Sequence, residues 1–283
     1  MTDQNATRQT NQSTNYYTDF HSHLIPGVDD GARDTEFSLA GLAAFRREGV
    51  RQVITTPHFD GALTQQPEPL AARLAALDAG WETLRGIVAA DTEKHGSAMR
   101  VERGVEVMLN VPDPDLSDPR LRLAGTKFVL VEFPMLQLPP ANAVVAVQNI
   151  RQAGWVPVIA HPERYRNLES LAPLGQFLTA GALLQVNAGS LFGDYGSTAQ
   201  KWAMDIFTNG LASYVASDYH ARGEPGEARF GRALAEAGFA NQATLLLSVN
   251  PGRLLAGDMP QPVPAMVSQA MSAAPWWKRM LGG

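Results

Sequence analysis

Five of the six histidines lie in short segments that also carry carboxylates or close an apolar run: DFHSHLIPGVDD (19–30), TPH (56–58), IAHP (159–162) and SDYH (217–220). Two more acids, Glu106 in GVEV and Glu132 in VEFP, end apolar runs of their own. Imidazole nitrogens and carboxylate oxygens gathered in one place hold divalent cations. His21, His23, Asp29, His58, Glu106, Glu132, His161, Asp218 and His220 make nine such residues, whereas one ion takes three or four protein ligands. The count points to two or three ions sharing at least one bridging carboxylate. Taken singly, each residue has a plainer explanation. Alternate histidines can share one strand face, an acid can cap a helix or pair with a base, and His161 before Pro162 can be a turn residue. None of these explains why all nine fall at comparable places in the chain.

Such convergence requires parallel strands whose C-terminal ends bring distant residues together. Apolar or β-branched runs at 17–21, 50–56, 100–109, 127–133, 156–161, 182–187 and 211–218 alternate with helical patterns at 35–48, 67–95, 141–153, 168–180, 196–209 and 224–238. The five histidines each fall within about three residues of a strand's C-terminal end. Glycine-rich phosphate loops of the GxGxxG and GxxxxGK[ST] kinds are absent, so a closed ring of strands is favoured over an open sheet. One domain over 16–256 is expected, preceded by a disordered polar tail, 1–15, and followed by a Pro-rich tail, 257–283, that ends PWWKRMLGG. Trp276 and Trp277 beside Lys278 and Arg279 either cover the body of the protein or form a weak docking or membrane-surface segment. The N-terminus lacks the basic start and apolar stretch of a signal peptide. Charge-free stretches at 133–150 and 170–193 are broken by Pro, Gly and amides. A cytoplasmic protein is expected.

The 283 residues are 45% hydrophobic and 18% charged, enough for a full core. Cys 0 excludes disulfide scaffolds, thiolate zinc sites and phosphatases with a thiol nucleophile. A net charge of -5 offers no field for polyanions, so nucleic acid is not an expected partner.

The strings DFHSHLIPGVDDG, TPH, GVEV, VEFP, IAHPER and VASDYH, in this order, resemble the polymerase and histidinol phosphatase (PHP) superfamily. Within it the chain is most similar to the bacterial manganese-dependent protein tyrosine phosphatases of capsule and exopolysaccharide synthesis. The likeness spans about 16–256 and includes NPGRLL. It implies an α/β fold, a distorted (β/α)7 TIM-like barrel, with a three-metal Mn²⁺ centre. One ion would be held by His21, His23, Glu106 and Asp218, a second by Glu106, Glu132 and His161, and a third by Asp29, His58 and His220. The implied partner is a phosphotyrosine protein, a membrane-anchored bacterial tyrosine kinase.

Ligand chemistry alone admits Mn²⁺, Fe or Zn²⁺. Hydrolysis of a phosphate monoester at such a centre needs a hydroxide available near neutral pH and a clamp on the phosphoryl oxygens. Arg164, three residues after His161, is the clamp candidate, because a planar guanidinium can hold two oxygens at once. Its plainer reading is a salt bridge to Glu163 or another acid. Arg222 and Arg33, beside other ligand segments, are secondary substrate-binding candidates. ARGEPGEARFG after SDYH departs from the more basic pattern of the family. The competing readings are a PHP phosphoesterase acting on a small metabolite or nucleotide ends, a non-catalytic metal-stabilised regulatory module, and a metal-dependent amidohydrolase. The amidohydrolases' bridging lysine has no counterpart at these strand ends.

Overall fold

The computed structural model describes residues 16–96, 98–139 and 143–267. The polar stretch 1–15, Trp276 and Trp277 lie outside them. Every strand pair within the sheets is parallel. β1 (Tyr17–Asp19), β2 (Val50–Thr55) and β4 (Arg100–Arg103) form one sheet in the order β1-β2-β4. β3 (His58–Asp60), β5 (Glu106–Met108), β6 (Phe128–Glu132), β7 (Val156–Ala160), β8 (Leu183–Asn187) and β9 (Tyr214–Ala216) form the second, in the order β3-β5-β6-β7-β8-β9. An isolated parallel bridge, Ser22 to Tyr219, joins the segment after β1 to that after β9.

The run 100–109, expected as one strand, is two, and a short strand appears at His58. Both breaks have a local cause. Pro57 has no N–H for a ladder, and at Gly104 an added Cβ would meet the Arg122 carbonyl and Leu123 at 3.2 Å. The ladder resumes past both breaks, with His58 in register with Glu106.

Six helices match the expected patterns: α1 (Thr35–Arg47), α2 (Pro67–His95), α3 (Ala143–Gln152), α4 (Ala172–Thr179), α5 (Ser197–Thr208) and α6 (Glu227–Glu236). Asp34 caps α1 by accepting from the Glu36 and Phe37 amides. Pro67 opens α2, and Gly96, at φ 64, closes it in the left-handed region. A run of α7 (Ala240–Thr244), one π turn and α8 (Asn250–Leu255) follows. The strands are covered on both faces: Phe128 and Leu130 join one buried cluster, Val129 and Val131 another. The start of the Pro-rich segment forms no regular element, yet it packs. Met266 is fully buried and donates its amide to the Phe207 carbonyl, and Gln261 exchanges hydrogen bonds with Asn250. Among the described residues no helix is long and apolar enough to cross a membrane.

Candidate metal centre

Strand ends deliver the polar residues to one place. His21 and His23 follow β1, Glu106 opens β5 in register with His58, and Glu132 closes β6 two positions further along the ladder, opposite Met108. His161 and Asp218 come directly after β7 and near the end of β9, and both adopt positive φ, 33 and 56. That conformation is uncommon for residues with a Cβ and marks a place where side-chain position has been set by the surroundings.

Three groups of ligand atoms result. In the first, His21 Nε2 lies 3.3 Å from both Glu106 Oε2 and Asp218 Oδ1, and His23 Nε2 lies 3.4 Å from Asp218 Oδ1. All four side chains are buried. In the second, Glu106 and Glu132 face His58 Nδ1 at 3.0 and 3.6 Å and His161 Nε2 at 3.0 and 3.9 Å. In the third, Asp30 Oδ1 lies 3.4 Å from both His58 Nε2 and His220 Nε2, beside His23. Glu106 thus belongs to two groups.

The expected ligand Asp29 does not enter this arrangement. Its Oδ2 accepts from His23 Nδ1 at 2.7 Å and from the His58 amide, and its Oδ1 accepts from the Gly31 amide. Both oxygens are taken, so the adjacent Asp30, missed in the sequence, is the acid that faces His58 and His220. The Asp29–Gly31 contact is an Asx turn, a pattern that Asp-x-Gly encodes. Gly31 is obligatory there, since a Cβ would sit 2.3 Å from the His23 backbone carbonyl.

The donor set fits cations. His21 Nε2, His23 Nε2 and Glu106 Oε2 are buried, converge, and have no hydrogen-bonded partner among the described residues. Buried polar atoms left this way are costly unless something else satisfies them. In the chain alone, protons supply the balancing charge. Burial by itself would depress the histidines, but Glu106 and Asp218 hold His21 up at about 9, and Asp218 and Asp29 hold His23 up at about 10. Burial and the neighbouring Glu106 charge push Glu132 up to about 7. Asp218 and Glu106 stay well below the carboxylate range because the imidazoles outweigh burial.

A sign follows for stability. Folded His21 and His23 bind protons more tightly than the unfolded chain, whose imidazoles titrate near 6.5. Their stabilisation is complete below about 6.5 and is lost as pH rises through 9 to 10. Chelator-treated protein is therefore expected to melt at lower temperature at pH 10 than at pH 7. A melting temperature flat or rising over that window would show that the imidazoles hold no extra protons.

Arg164 donates through Nη1 to Asp218 Oδ2 and stacks 4.4 Å from the Tyr195 ring centre. Its partner is thus Asp218 and not Glu163, which is buried, accepts from Asn187 N and Ser190 Oγ, and is pushed up to about 7 by burial. Arg222 donates to the Asp30 carbonyl at 2.6 Å. Arg33 lies over the Phe37 ring at the start of α1. The sequence reading also missed Gln185 and Asn187 on β8, whose amides reach His21 and Asp218. Two amides at alternate positions of an otherwise apolar strand were the available signal.

The family described as "Capsular polysaccharide synthesis, CpsB/CapC" matches residues 17–255. The tyrosine-protein phosphatase YwqE of Bacillus subtilis is 33% identical over 207 residues, covering 71% of this chain and 76% of that protein. The tyrosine-protein phosphatase CpsB of Streptococcus agalactiae is 30% identical over 212 residues, 71% of this chain and 82% of that one. A solved structure from a study of YwqE from Bacillus subtilis and CpsB from Streptococcus pneumoniae, "unique metal-dependent tyrosine phosphatases", superposes with a TM-score of 0.72 at 28% identity, covering 89% of this chain and all of that one. With a match over nearly all of the described residues and relatives of this similarity, the chain belongs to the CpsB/CapC family.

Proposed function

We propose that this chain is a metal-dependent protein-tyrosine phosphatase acting in capsule or exopolysaccharide synthesis, with a membrane-anchored tyrosine kinase as its phosphotyrosine substrate. The observation that carries this reading is the convergence of three buried ligand atoms that lack a hydrogen-bonded partner among the described residues, His21 Nε2, His23 Nε2 and Glu106 Oε2, within a complete set of imidazoles and carboxylates. A regulatory module that did not turn over substrate would have no use for the full set. The two sheets read as one distorted (β/α)7 barrel, in which β2 continues as β3, β4 continues as β5, and the Ser22–Tyr219 bridge closes the ring.

His21, His23, Glu106 and Asp218 would hold one ion, Glu106 and Glu132 with His161 a second, and His58, His220 and Asp30 a third. Mn²⁺ is the ion we favour for this oxygen-rich set. When bound, the ions supply a hydroxide near neutral pH and neutralise charge on the phosphoryl oxygens. Glu106 would contribute its one carboxylate to both of the first two ion positions. Asp218 turns Oδ1 towards His21 and His23 and Oδ2 towards Arg164, which sets the guanidinium beside the centre. Tyr195 packs on the guanidinium and fixes its plane, leaving its remaining N–H groups for phosphoryl oxygens. A phenolic leaving group, with a pKa of about 10, departs with less protonation than an alkyl alcohol needs. Of the secondary cations, Arg222 is the better placed, through the Asp30 loop.

The reading is tested by assaying Mn²⁺-loaded protein against a phosphotyrosine peptide, a phosphoserine peptide, histidinol phosphate and a short oligonucleotide. The phosphotyrosine peptide is expected to be cleaved fastest; preference for any other substrate overturns the assignment. Arg164→Ala is expected to lower kcat/KM by about 10²-fold. Metal content should stay unchanged, since Asp218 Oδ1 keeps its histidine neighbours. Loss of metal in that variant would make Arg164 structural.

A further inference from the structure

β8 carries two amides into a strand whose other residues are apolar. Gln185 and Asn187 stand two apart, share one face, and are fully buried, while Val186 between them joins the apolar cluster on the opposite side. An amide placed there is costly unless each of its groups is satisfied. These are satisfied by one another and by two ligand residues. His21 Nδ1 meets Gln185 Oε1 at 2.9 Å, Gln185 Nε2 donates to Asn187 Oδ1 at 2.8 Å, and Asn187 Nδ2 donates to Asp218 Oδ2 at 2.9 Å.

The direction of this chain is fixed from its acid end. An ionised carboxylate only accepts, so the atom of Asn187 facing Asp218 must be the NH₂ group. Its carbonyl oxygen then faces Gln185 and requires that residue's NH₂ group. Gln185 is left presenting its carbonyl oxygen to His21, whose Nδ1 must carry a hydrogen. The lone pair of neutral His21 is therefore on Nε2, the atom 3.3 Å from Glu106 Oε2 and Asp218 Oδ1. Amides do not titrate, so this setting holds wherever Asp218 is ionised.

We propose that Gln185 and Asn187 are positioning residues, a buried amide relay that fixes which nitrogen of His21 and which oxygen of Asp218 face the ions. The inference rests on the metal-centre reading above. It differs from the arrangement at His23, where a carboxylate, Asp29, takes the Nδ1 hydrogen. His21 is held by a neutral acceptor, which adds no negative charge to a centre already rich in carboxylates.

The test uses the full chain. With ¹⁵N-labelled histidine and Zn²⁺ loaded, NMR is expected to show His21 with a protonated Nδ1 and a metal-bound Nε2; the reverse pattern overturns the relay. In competition with a chelating dye, Gln185→Met is expected to weaken Mn²⁺ binding by about 10- to 100-fold. Leu184→Met, a volume-conserving change on the same strand but outside the relay, should stay within about threefold of the wild type. Unchanged affinity in Gln185→Met, or equal losses in both variants, overturns the proposal. Should Gln185→Met fail to fold, the wild-type NMR pattern decides. A wild-type chain that takes up neither ion overturns the metal-centre reading itself, a failure distinct from unaltered affinity in the variant.

Discussion

Glu106→Gln is expected to leave a folded protein that has lost two ions and about 10³-fold or more in kcat/KM on a phosphotyrosine peptide. The substitution is nearly isosteric, so packing in this fully buried position is retained. What changes is the charge and one acceptor oxygen. Glu106 Oε2 lies 3.3 Å from His21 Nε2 and 3.0 Å from His58 Nδ1, and Oε1 lies 3.0 Å from His161 Nε2. An amide can offer one oxygen to these positions but turns an NH₂ group on the other. Both ion positions that share the residue should empty together, which elemental analysis per chain measures directly. A variant with full metal content and near-normal turnover would show that Glu106 bridges nothing. Loss of a single ion would place it in one group only.

Removing the ions altogether is expected to abolish phosphatase activity without unfolding the chain at neutral pH. The reason lies in the proton balance: His21 and His23 carry protons up to about 9 and 10 when no cation is present, so the carboxylates remain compensated. Chelator treatment should leave the circular dichroism spectrum unaltered at pH 7, and Mn²⁺ alone should restore activity without a refolding step. Full activity in protein shown by elemental analysis to be metal-free would remove the basis of the proposed function. Recovery only after denaturation and refolding would mean that the ions, and not protons, hold the site together. Comparing Mn²⁺, Zn²⁺ and Fe in the recovery assay identifies the ion this ligand set uses best.

Much of the centre was legible because its residue types are unusual at strand ends. His21, His23, His58, Glu106, Glu132, His161, Asp218 and His220 are brought together by the structure, each from the segment that marked it in the sequence. The difference between Asp29 and Asp30 shows the limit. Two adjacent acids in a loop differ in role only through backbone direction, and the turn made by Asp29 with the Gly31 amide sends one inward to His23 and leaves the other facing His58 and His220. Helix positions were readable from caps and glycines, as with Asp34 and Gly96. The break at Gly104 was not, since Val101, Val105 and Val107 continue on either side of it and only the close approach of Leu123 marks the interruption, and neither was the short strand after Pro57, since a proline ordinarily ends a run. The Arg164–Asp218 pair was equally hidden: Glu163 is the nearer acid along the chain, but burial beneath Ser190 and Asn187 takes it out of reach.

The closing contacts between the segments after β1 and β9 bear on how the protein is made. Ser217 Oγ reaches the His21 carbonyl across 196 positions of sequence, and the Ser22–Tyr219 bridge lies beside it. Contacts of such separation form late, after the intervening chain has been synthesised and folded. His21 and His23 leave the ribosome before Asp218 and His220, which follow only after the intervening strands have been made. On the proposed reading the first group can take up its ion only once Asp218 has been synthesised, so chains cut short before β9 are expected to bind no ion there, which elemental analysis of such a truncation measures.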